Sequence, residues 1–198
     1  FKVIQDNLHK IGPIRRYFAS YCQYSSRYDK YKEGIVLNAF NPEFANGSLM
    51  DLGVYCLYPL ITLFGEPKEV KATGIMLDSG VDGEGSVILK YDDKDAIVMY
   101  SKITNSYLPS EIQGEKGSIM IDKIHTAEKV EIHYTDGTVE QLTVDQSHPA
   151  MYYEVKEFIE LINRGKTESD TNSYKNSYTT IQVLDKVRDE IGLVYQSD

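Results

Sequence analysis

The chain has 198 residues, 41% of them hydrophobic, and a formal net charge of −9 at pH 7. This length and composition predict one globular domain, and the acidic balance, with 21 Lys and Arg residues scattered along the chain, argues against a nucleic-acid partner. No apolar run approaches the roughly 20 residues of a membrane span, and Cys22 and Cys56 show no CxxC or Cys/His spacing, so we expect buried reduced thiols in a cytoplasmic protein.

The first stretch, FKVIQDNLHKIG (residues 1–12), predicts a helix. Its apolar residues recur at helical spacing: Val3, Ile4, Leu8 and Ile11. Gly12 and Pro13 end the pattern. Because the chain starts at Phe1, without a methionine and inside this pattern, we expect residues 1–12 to be the end of a preceding segment and the chain to be a fragment.

A strand, a long polar segment and an apolar helix are expected next. PIRRYFASYCQY (13–24) alternates in part and is rich in aromatic residues, which predicts a strand. Residues 25–46 have no clean period and predict a loop, and loops of this length are usually functional or disordered. GSLMDLGVYCLYPLITLFG (47–65) predicts a helix. Its expected core face is apolar: Leu49, Leu52, Leu57, Leu60, Ile61 and Phe64.

Several strand-like runs occupy residues 68–144, and the sequences YDDKDA, GEKG and YTDGTV between them favour hairpin turns. Two amphipathic helices close the chain, one between Pro149 and Gly165 and one before Gly192. The first has the apolar stripe Met151, Val155, Phe158, Ile159 and Ile162, and the second has Tyr174, Tyr178, Ile181, Leu184, Val187 and Ile191. This order predicts an α+β fold, a mostly antiparallel open sheet with helices packed on one face.

Asp51 and Tyr55 are the candidate functional pair, because they stand one turn apart on one face of the predicted helix. Pro59, inside the helix, should bend the axis at that turn. A phenol has a reference pKa of about 10, so it exchanges protons near neutrality only if a cation lowers that value, and no such lysine is evident nearby in the sequence. Ser48 and Asp51 also match a capping box, so a structural role for Asp51 stays open.

Other catalytic chemistries find little support in the sequence. The four histidines have no partner at metal-ligand spacing, so no metal site is expected: His9, His125, His133 and His148. There is no G-x-S-x-G motif for a hydrolase and no G-x-G-x-x-G fingerprint for a dinucleotide.

The stretch GSLMDLGVYCLYPLITLFGEPKEVKA resembles the start of the substrate-domain helix in the glucose-fructose oxidoreductase/inositol dehydrogenase (Gfo/Idh/MocA) family, most closely in its dihydrodiol dehydrogenase-like branch. The family's pattern is D-x-G-x-H or D-x-G-x-Y, and Asp51, Gly53 and Tyr55 match the tyrosine form. IGPIRRYFASY, IQGEKGSIMID and MYYEVKEFIELINRGK resemble the family's first strand after the domain crossover, a later hairpin and the penultimate helix. The resemblance implies the dihydrodipicolinate reductase/glyceraldehyde-3-phosphate dehydrogenase-like C-terminal fold.

The resemblance implies an NAD(P)-dependent oxidoreductase in two parts. An N-terminal Rossmann domain would bind NAD or NADP and supply a lysine from an E-K-P motif, while the C-terminal domain would bind a polyol, sugar or dihydrodiol. This chain lacks the fingerprint and the E-K-P motif. Residues 1–12 would then be the remnant of the crossover helix and 13–198 the substrate-binding and oligomerisation domain, inactive alone.

By the same resemblance, Tyr55 would be the proton donor or acceptor during hydride transfer, and Asp51 would orient the substrate or tune Tyr55. Arg27, Tyr28 and Lys30 are weaker candidates for substrate contact, with a solvated loop as the alternative. A homodimer or higher homo-oligomer would form through the open sheet face, with the tyrosine-rich strands as its interface. The competing hypothesis is a standalone binding or oligomerisation module that kept the fold and lost the chemistry.

Overall fold

The computed structural model describes residues 1–196 and 198. The helices and strands run in this order: α1 (Lys2–Asn7), a 3₁₀ turn (Leu8–Ile11), β1 (Ile14–Cys22), α2 (Tyr28–Lys32), two 3₁₀ turns (Asn38–Phe40 and Pro42–Phe44), a π-helical turn (Leu49–Gly53) that leads into α3 (Val54–Phe64), β2 (Glu69–Met76), β3 (Asp82–Lys90), β4 (Asp95–Ser101), β5 (Ser110–Gly114), β6 (Gly117–Ile121), β7 (Val130–Tyr134), β8 (Val139–Gln141), α4 (Ala150–Asn163) and α5 (Tyr174–Ile191). The predicted strands and helices are therefore present, and the predicted α+β fold is confirmed.

The eight strands form one open sheet in the order β2-β3-β4-β1-β5-β6-β7-β8. β1 pairs parallel to β4, and the other neighbouring strands in the described part of the chain are antiparallel. β1, the first strand in sequence, thus lies in the middle of the sheet. It lies between β4 and β5 and so joins the strands β2 to β4 to the strands β5 to β8, and this long-range pairing cannot be read from turn sequences.

One face of the sheet carries the core, because α3 and α5 pack on it. Alternate strand residues point to these helices, among them the fully buried Tyr17, Val87, Val98 and Ile112. The helix over residues 49–64 buries most of its expected core face: Leu49, Leu52, Leu57, Leu60 and Ile61, with Phe64 partly buried.

The opposite face of the sheet is open. Phe18, Ile88 and Ile97 lie in one row across β1, β4 and β3, and Ile88 is 58% exposed. Tyr17 and Tyr100 point the other way and are buried in the core, so the expectation that tyrosine-rich strands form an interface is wrong for these two residues. Any interface on this face would be aliphatic and aromatic in its centre, without those two phenols.

Residues 25–46 are more ordered than the predicted loop. They contain α2 and the two 3₁₀ turns, and Phe40 is fully buried. Tyr28 and Tyr31 pack their rings on Phe40, with centroid separations of 5.6 and 5.3 Å. This small aromatic core supplies the apolar contacts that the segment's polar composition did not reveal.

The helix over 49–64 departs from α-geometry at its start, in the π-helical turn Leu49–Gly53, whereas Pro59 lies inside the α-helical part. By length and composition the stretch Pro42–Phe64 could also cross a membrane, contrary to the expectation from the sequence. Half of the most apolar 18-residue segment within this stretch is buried inside the protein, as is typical of a core helix in a globular domain.

The apolar stripes expected on the last two helices pack only in part. On α5, Val183, Leu184 and Val187 are buried, while the predicted Tyr178 and Ile181 are exposed. On α4 the whole predicted stripe lies at the surface: Met151, Val155, Phe158, Ile159 and Ile162. The expectation that α4 packs on the sheet is therefore wrong for these 198 residues.

Candidate active site

A cleft of about 1020 Å³ runs along the exposed side of the helix over 49–64. It is lined by this helix, by the chain's first residues, by the connection between β6 and β7, by the connection between β8 and α4, and by α4 and the residues after it. Its polar and aromatic lining includes Phe1, Lys2, Asp51, Tyr55, Tyr58, His125, Asp145, Tyr153 and Glu157. The cleft is large enough to hold a sugar-sized ligand and, beside it, one planar ring of a second molecule.

Asp51 and Tyr55 both line this cleft, as expected from their position one turn apart on one face of the helix. The Asp51 side chain is 54% exposed and Tyr55 is 48% exposed, so both can reach a ligand. Gly53 between them allows the helix to lie directly on β4, because a Cβ there would be only 3.1 Å from the Tyr100 ring. The D-x-G-x-Y spacing therefore puts two polar groups in the cleft and a glycine against the sheet.

The start of this helix is capped by Asp82, a residue far away in sequence. Its carboxylate accepts hydrogen bonds from the backbone N–H of Ser48 (3.1 Å) and of Leu49 (2.7 Å). The Ser48 hydroxyl is buried and has no partner among the described residues. The capping box predicted from Ser48 and Asp51 is therefore wrong, because the cap comes from β3 instead.

Burial has the largest effect on the ionisation of the Asp82 carboxyl group, which forms this cap. It raises the pKa of Asp82 to about 6, although the backbone N–H groups of Leu49 and Ser48 and the charge of Lys102 act in the opposite direction. The position next to this carboxylate requires glycine. The φ of Gly47 is 145°, which favours glycine, and a Cβ there would lie 2.2 Å from Asp82 Oδ1.

Asp51 is instead paired with Lys102, a residue that the sequence reasoning missed. The Lys102 side chain is only 4% exposed, and its Nζ lies 2.7 Å from Asp51 Oδ2. The same ammonium donates to Asn46 Oδ1 at 3.0 Å and to the Ala39 carbonyl at 3.3 Å. The ammonium thus has one ion-pair partner and two hydrogen-bond acceptors, and the only sequence signal is a lysine directly after an apolar strand.

Two aromatic residues back the Tyr55 ring. Tyr21 meets Tyr55 edge to face at a centroid distance of 5.5 Å and stacks on His125 at 4.1 Å. Burial, followed by the nearby Tyr55 and Asp51, raises the pKa of Tyr21. Burial lowers the pKa of His125, which favours the neutral imidazole. The row of rings fixes the direction in which Tyr55 faces the cleft.

The three weaker candidates lie apart from this pair. Arg27 and Lys30 are exposed, and Lys30 pairs with Glu33 at 2.7 Å. Tyr28 packs on the Phe40 ring. None of the three is among the described residues that line the cleft, so the structure does not bring them to Tyr55.

The charged groups of the cleft do not fit the pyrophosphate of a dinucleotide. Among the described residues that line it, one lysine, Lys2, faces three carboxylates, Asp51, Asp145 and Glu157. A pyrophosphate is bound by backbone N–H groups at a helix start or by arginine and lysine side chains. A neutral ligand with several hydroxyl groups fits this lining better.

Comparison with known proteins identifies the family of this chain. The family model for the GFO/IDH/MocA C-terminal domain matches residues 7–120. The chain is 56% identical over 198 residues to scyllo-inositol 2-dehydrogenase (NADP(+)) IolU of Bacillus subtilis (strain 168), covering all of this chain and 60% of that protein. It is 28% identical over 182 residues to trans-1,2-dihydrobenzene-1,2-diol dehydrogenase of Danio rerio, covering 82% of this chain and 52% of that protein.

A solved structure agrees with the fold. The aldose-aldose oxidoreductase of Caulobacter crescentus, complexed with glycerol, matches with a TM-score of 0.77 at 18% identity, covering 96% of this chain and 56% of that one. The chain thus spans about half to three fifths of the proteins it matches. The matched model and the sequence relatives place this chain in the Gfo/Idh/MocA oxidoreductase family, in its dihydrodiol dehydrogenase-like branch.

Proposed function

We propose that this chain is the substrate-binding part of an NAD(P)-dependent oxidoreductase that interconverts an alcohol and a carbonyl group on a polyol, sugar or dihydrodiol. The observation that carries the proposal is the position of Asp51 and Tyr55, one turn apart and half exposed, on the wall of one large cleft. The activities for which the relatives are named, on scyllo-inositol and on a trans-dihydrodiol, support a substrate with neighbouring hydroxyl groups.

Tyr55 exchanges the proton in this proposal. When the alcohol is oxidised, Tyr55 as its phenolate takes the hydroxyl proton while the carbon loses hydride, and in the reverse reaction the Tyr55 phenol gives this proton to the carbonyl oxygen while the carbon gains hydride. Asp51, held by Lys102, accepts a hydrogen bond from a substrate hydroxyl and so orients the reacting carbon. Substrate contact by Arg27, Tyr28 and Lys30 stays a prediction.

NAD or NADP would supply or accept the hydride, and the NADP(+) in the name of the Bacillus relative favours NADP. Since the cleft lining does not fit a pyrophosphate, we place most of the cofactor site in polypeptide outside these 198 residues. Residues 1–12 would then be the end of a crossover helix from a Rossmann domain, and 13–198 the substrate domain. On this view the 198 residues alone bind no cofactor tightly and turn over no substrate.

The assembly and location belong to the same proposal. The open face with Phe18, Ile88 and Ile97 supports a homodimer or higher homo-oligomer through the sheet. A cytoplasmic location, without a nucleic-acid or membrane partner, stays a prediction from the sequence.

The test is Tyr55→Phe in the full-length protein, assayed with scyllo-inositol and a trans-dihydrodiol and with either nicotinamide cofactor. Loss of the proton-exchanging hydroxyl should lower kcat by about 100- to 10,000-fold, with a smaller change in KM. Tyr58→Phe is the matched control, because Tyr58 lines the same cleft from the same helix and its hydroxyl lies 3.5 Å from Ser177 Oγ.

Two outcomes count against the proposal. If Tyr55→Phe and Tyr58→Phe both keep the wild-type rate, Tyr55 does not transfer the proton. If the full-length protein binds these polyols without oxidising them with either cofactor, the binding-module hypothesis replaces the enzyme.

A further inference from the structure

α4 is amphipathic but turns its apolar side away from the protein. Its five apolar residues recur as one stripe, and each is more than half exposed: Met151, Val155, Phe158, Ile159 and Ile162. We call this stripe the α4 face. A surface helix of a globular domain normally turns such a stripe toward the core. The α4 face has the opposite orientation, because in these 198 residues it points to solvent.

The side of α4 that meets the rest of the protein is mostly polar. Glu157, Glu160 and Leu161 are the partly buried residues of its middle and end. Glu157 accepts a hydrogen bond from the Ser169 hydroxyl and lines the cleft. On a helix these residues lie opposite the α4 face, so the helix is fixed through its polar side and its apolar side is left for another partner.

We infer that the α4 face is the docking surface for the part of the longer polypeptide that lies outside these 198 residues. The 198 residues span 60% of the Bacillus relative, so a protein of that length carries enough additional chain for another domain. The identity of this occupant rests on the proposed function, which places the hydride cofactor in that part.

Position favours this occupant over a second copy of the chain. Tyr153 and Glu157 of α4 line the cleft that holds Tyr55, and Phe1 lines it too. A segment that brings a cofactor to Tyr55 must cover the rim of this cleft, where α4 lies. A second copy has a separate apolar surface, the open face with Phe18, Ile88 and Ile97.

The test is side-chain oxidation by hydroxyl radicals in the full-length protein. Met151 is 64% exposed in these 198 residues and Met76 is 37% exposed, so without docking Met151 oxidises faster. With the α4 face in a dry interface, Met151 should oxidise roughly tenfold more slowly than Met76. Tyr107, 95% exposed, serves as the internal standard.

A variant pair identifies the occupant. Phe158→Glu with Ile162→Glu should restore fast oxidation of Met151 without changing the oligomeric mass, measured by light scattering. Ile88→Glu, on the open face of the sheet, should leave Met151 protected. Faster oxidation of Met151 than of Met76 in the full-length protein would overturn the inference.

Protection of Met151 that disappears on dilution together with a drop in mass would assign the α4 face to a second copy instead. The oxidation assay does not depend on turnover. Loss of the proposed function, as judged by Tyr55→Phe, would therefore leave this result readable.

Discussion

The ion pair between Asp51 and Lys102 provides the sharpest test of the site. Asp51 is half exposed, and replacing an ordinary surface aspartate by asparagine changes stability by no more than about 0.5 kcal/mol. Asp51 differs because it is the charged partner of an ammonium that is only 4% exposed. Asp51→Asn removes that charge and leaves Lys102 with Asn46 and the Ala39 carbonyl as neutral acceptors.

The expected change in the free energy of unfolding depends on which group of the pair loses its partner. Breaking a buried pair by removing one partner costs about 3–5 kcal/mol, and the exposure of Asp51 places Asp51→Asn near 3 kcal/mol. Lys102→Met should cost about 1–2 kcal/mol, because Asp51 can be hydrated and two neutral acceptors lose a donor. The double variant contains no buried charge, so it should cost about as much as Lys102→Met alone, which makes the coupling energy about 3 kcal/mol.

The assay is urea unfolding followed by circular dichroism, since the chain has no tryptophan. Equal slopes with urea are required before the free energies are compared. Asp95→Asn is the matched control, because Asp95 pairs with the exposed Arg16 at 2.6 Å and should cost less than about 1 kcal/mol. If the double variant equals the sum of the single ones within about 0.5 kcal/mol, the pair does not interact and the argument fails.

Three further predictions concern the same helix. Tyr55→Phe should leave the free energy of unfolding within about 0.5 kcal/mol of wild type, since the side chain is half exposed, and a larger loss in urea unfolding would mean that its hydroxyl supports the fold. Gly47→Ala should lower Tm by about 10 °C in a thermal melt, because the new Cβ meets Asp82 Oδ1 and φ is 145°; an unchanged Tm would contradict the described cap. Folding raises the Asp82 pKa from its ordinary 3.8 to about 6, so the folded state binds this proton more tightly. The stability that Asp82 contributes, compared with Asp82→Asn, should therefore fall by about 2 kcal/mol as the pH rises from 4 to 6, and a constant difference in urea unfolding would refute this.

The type and order of most elements followed from the sequence because they depend on neighbouring residues. Alternation over four to eight residues predicted the strands, turn sequences predicted the hairpins, and apolar spacing predicted α3, α4 and α5. The D-x-G-x-Y spacing also brought Asp51 and Tyr55 to one wall, since residues four apart on a helix share a face. The short α2 was missed because its stability comes from packing on Phe40 rather than from a local period.

The tertiary structure decided everything that joins distant segments. The central position of β1, the cap from Asp82 and the pairing of Lys102 with Asp51 each connect residues more than 30 positions apart. Local periodicity carries no information about such pairings, because it describes which side of an element is apolar and not what meets that side. α4 shows the limit most clearly: its sequence predicted an apolar stripe correctly, but only the folded chain revealed that this stripe faces outward.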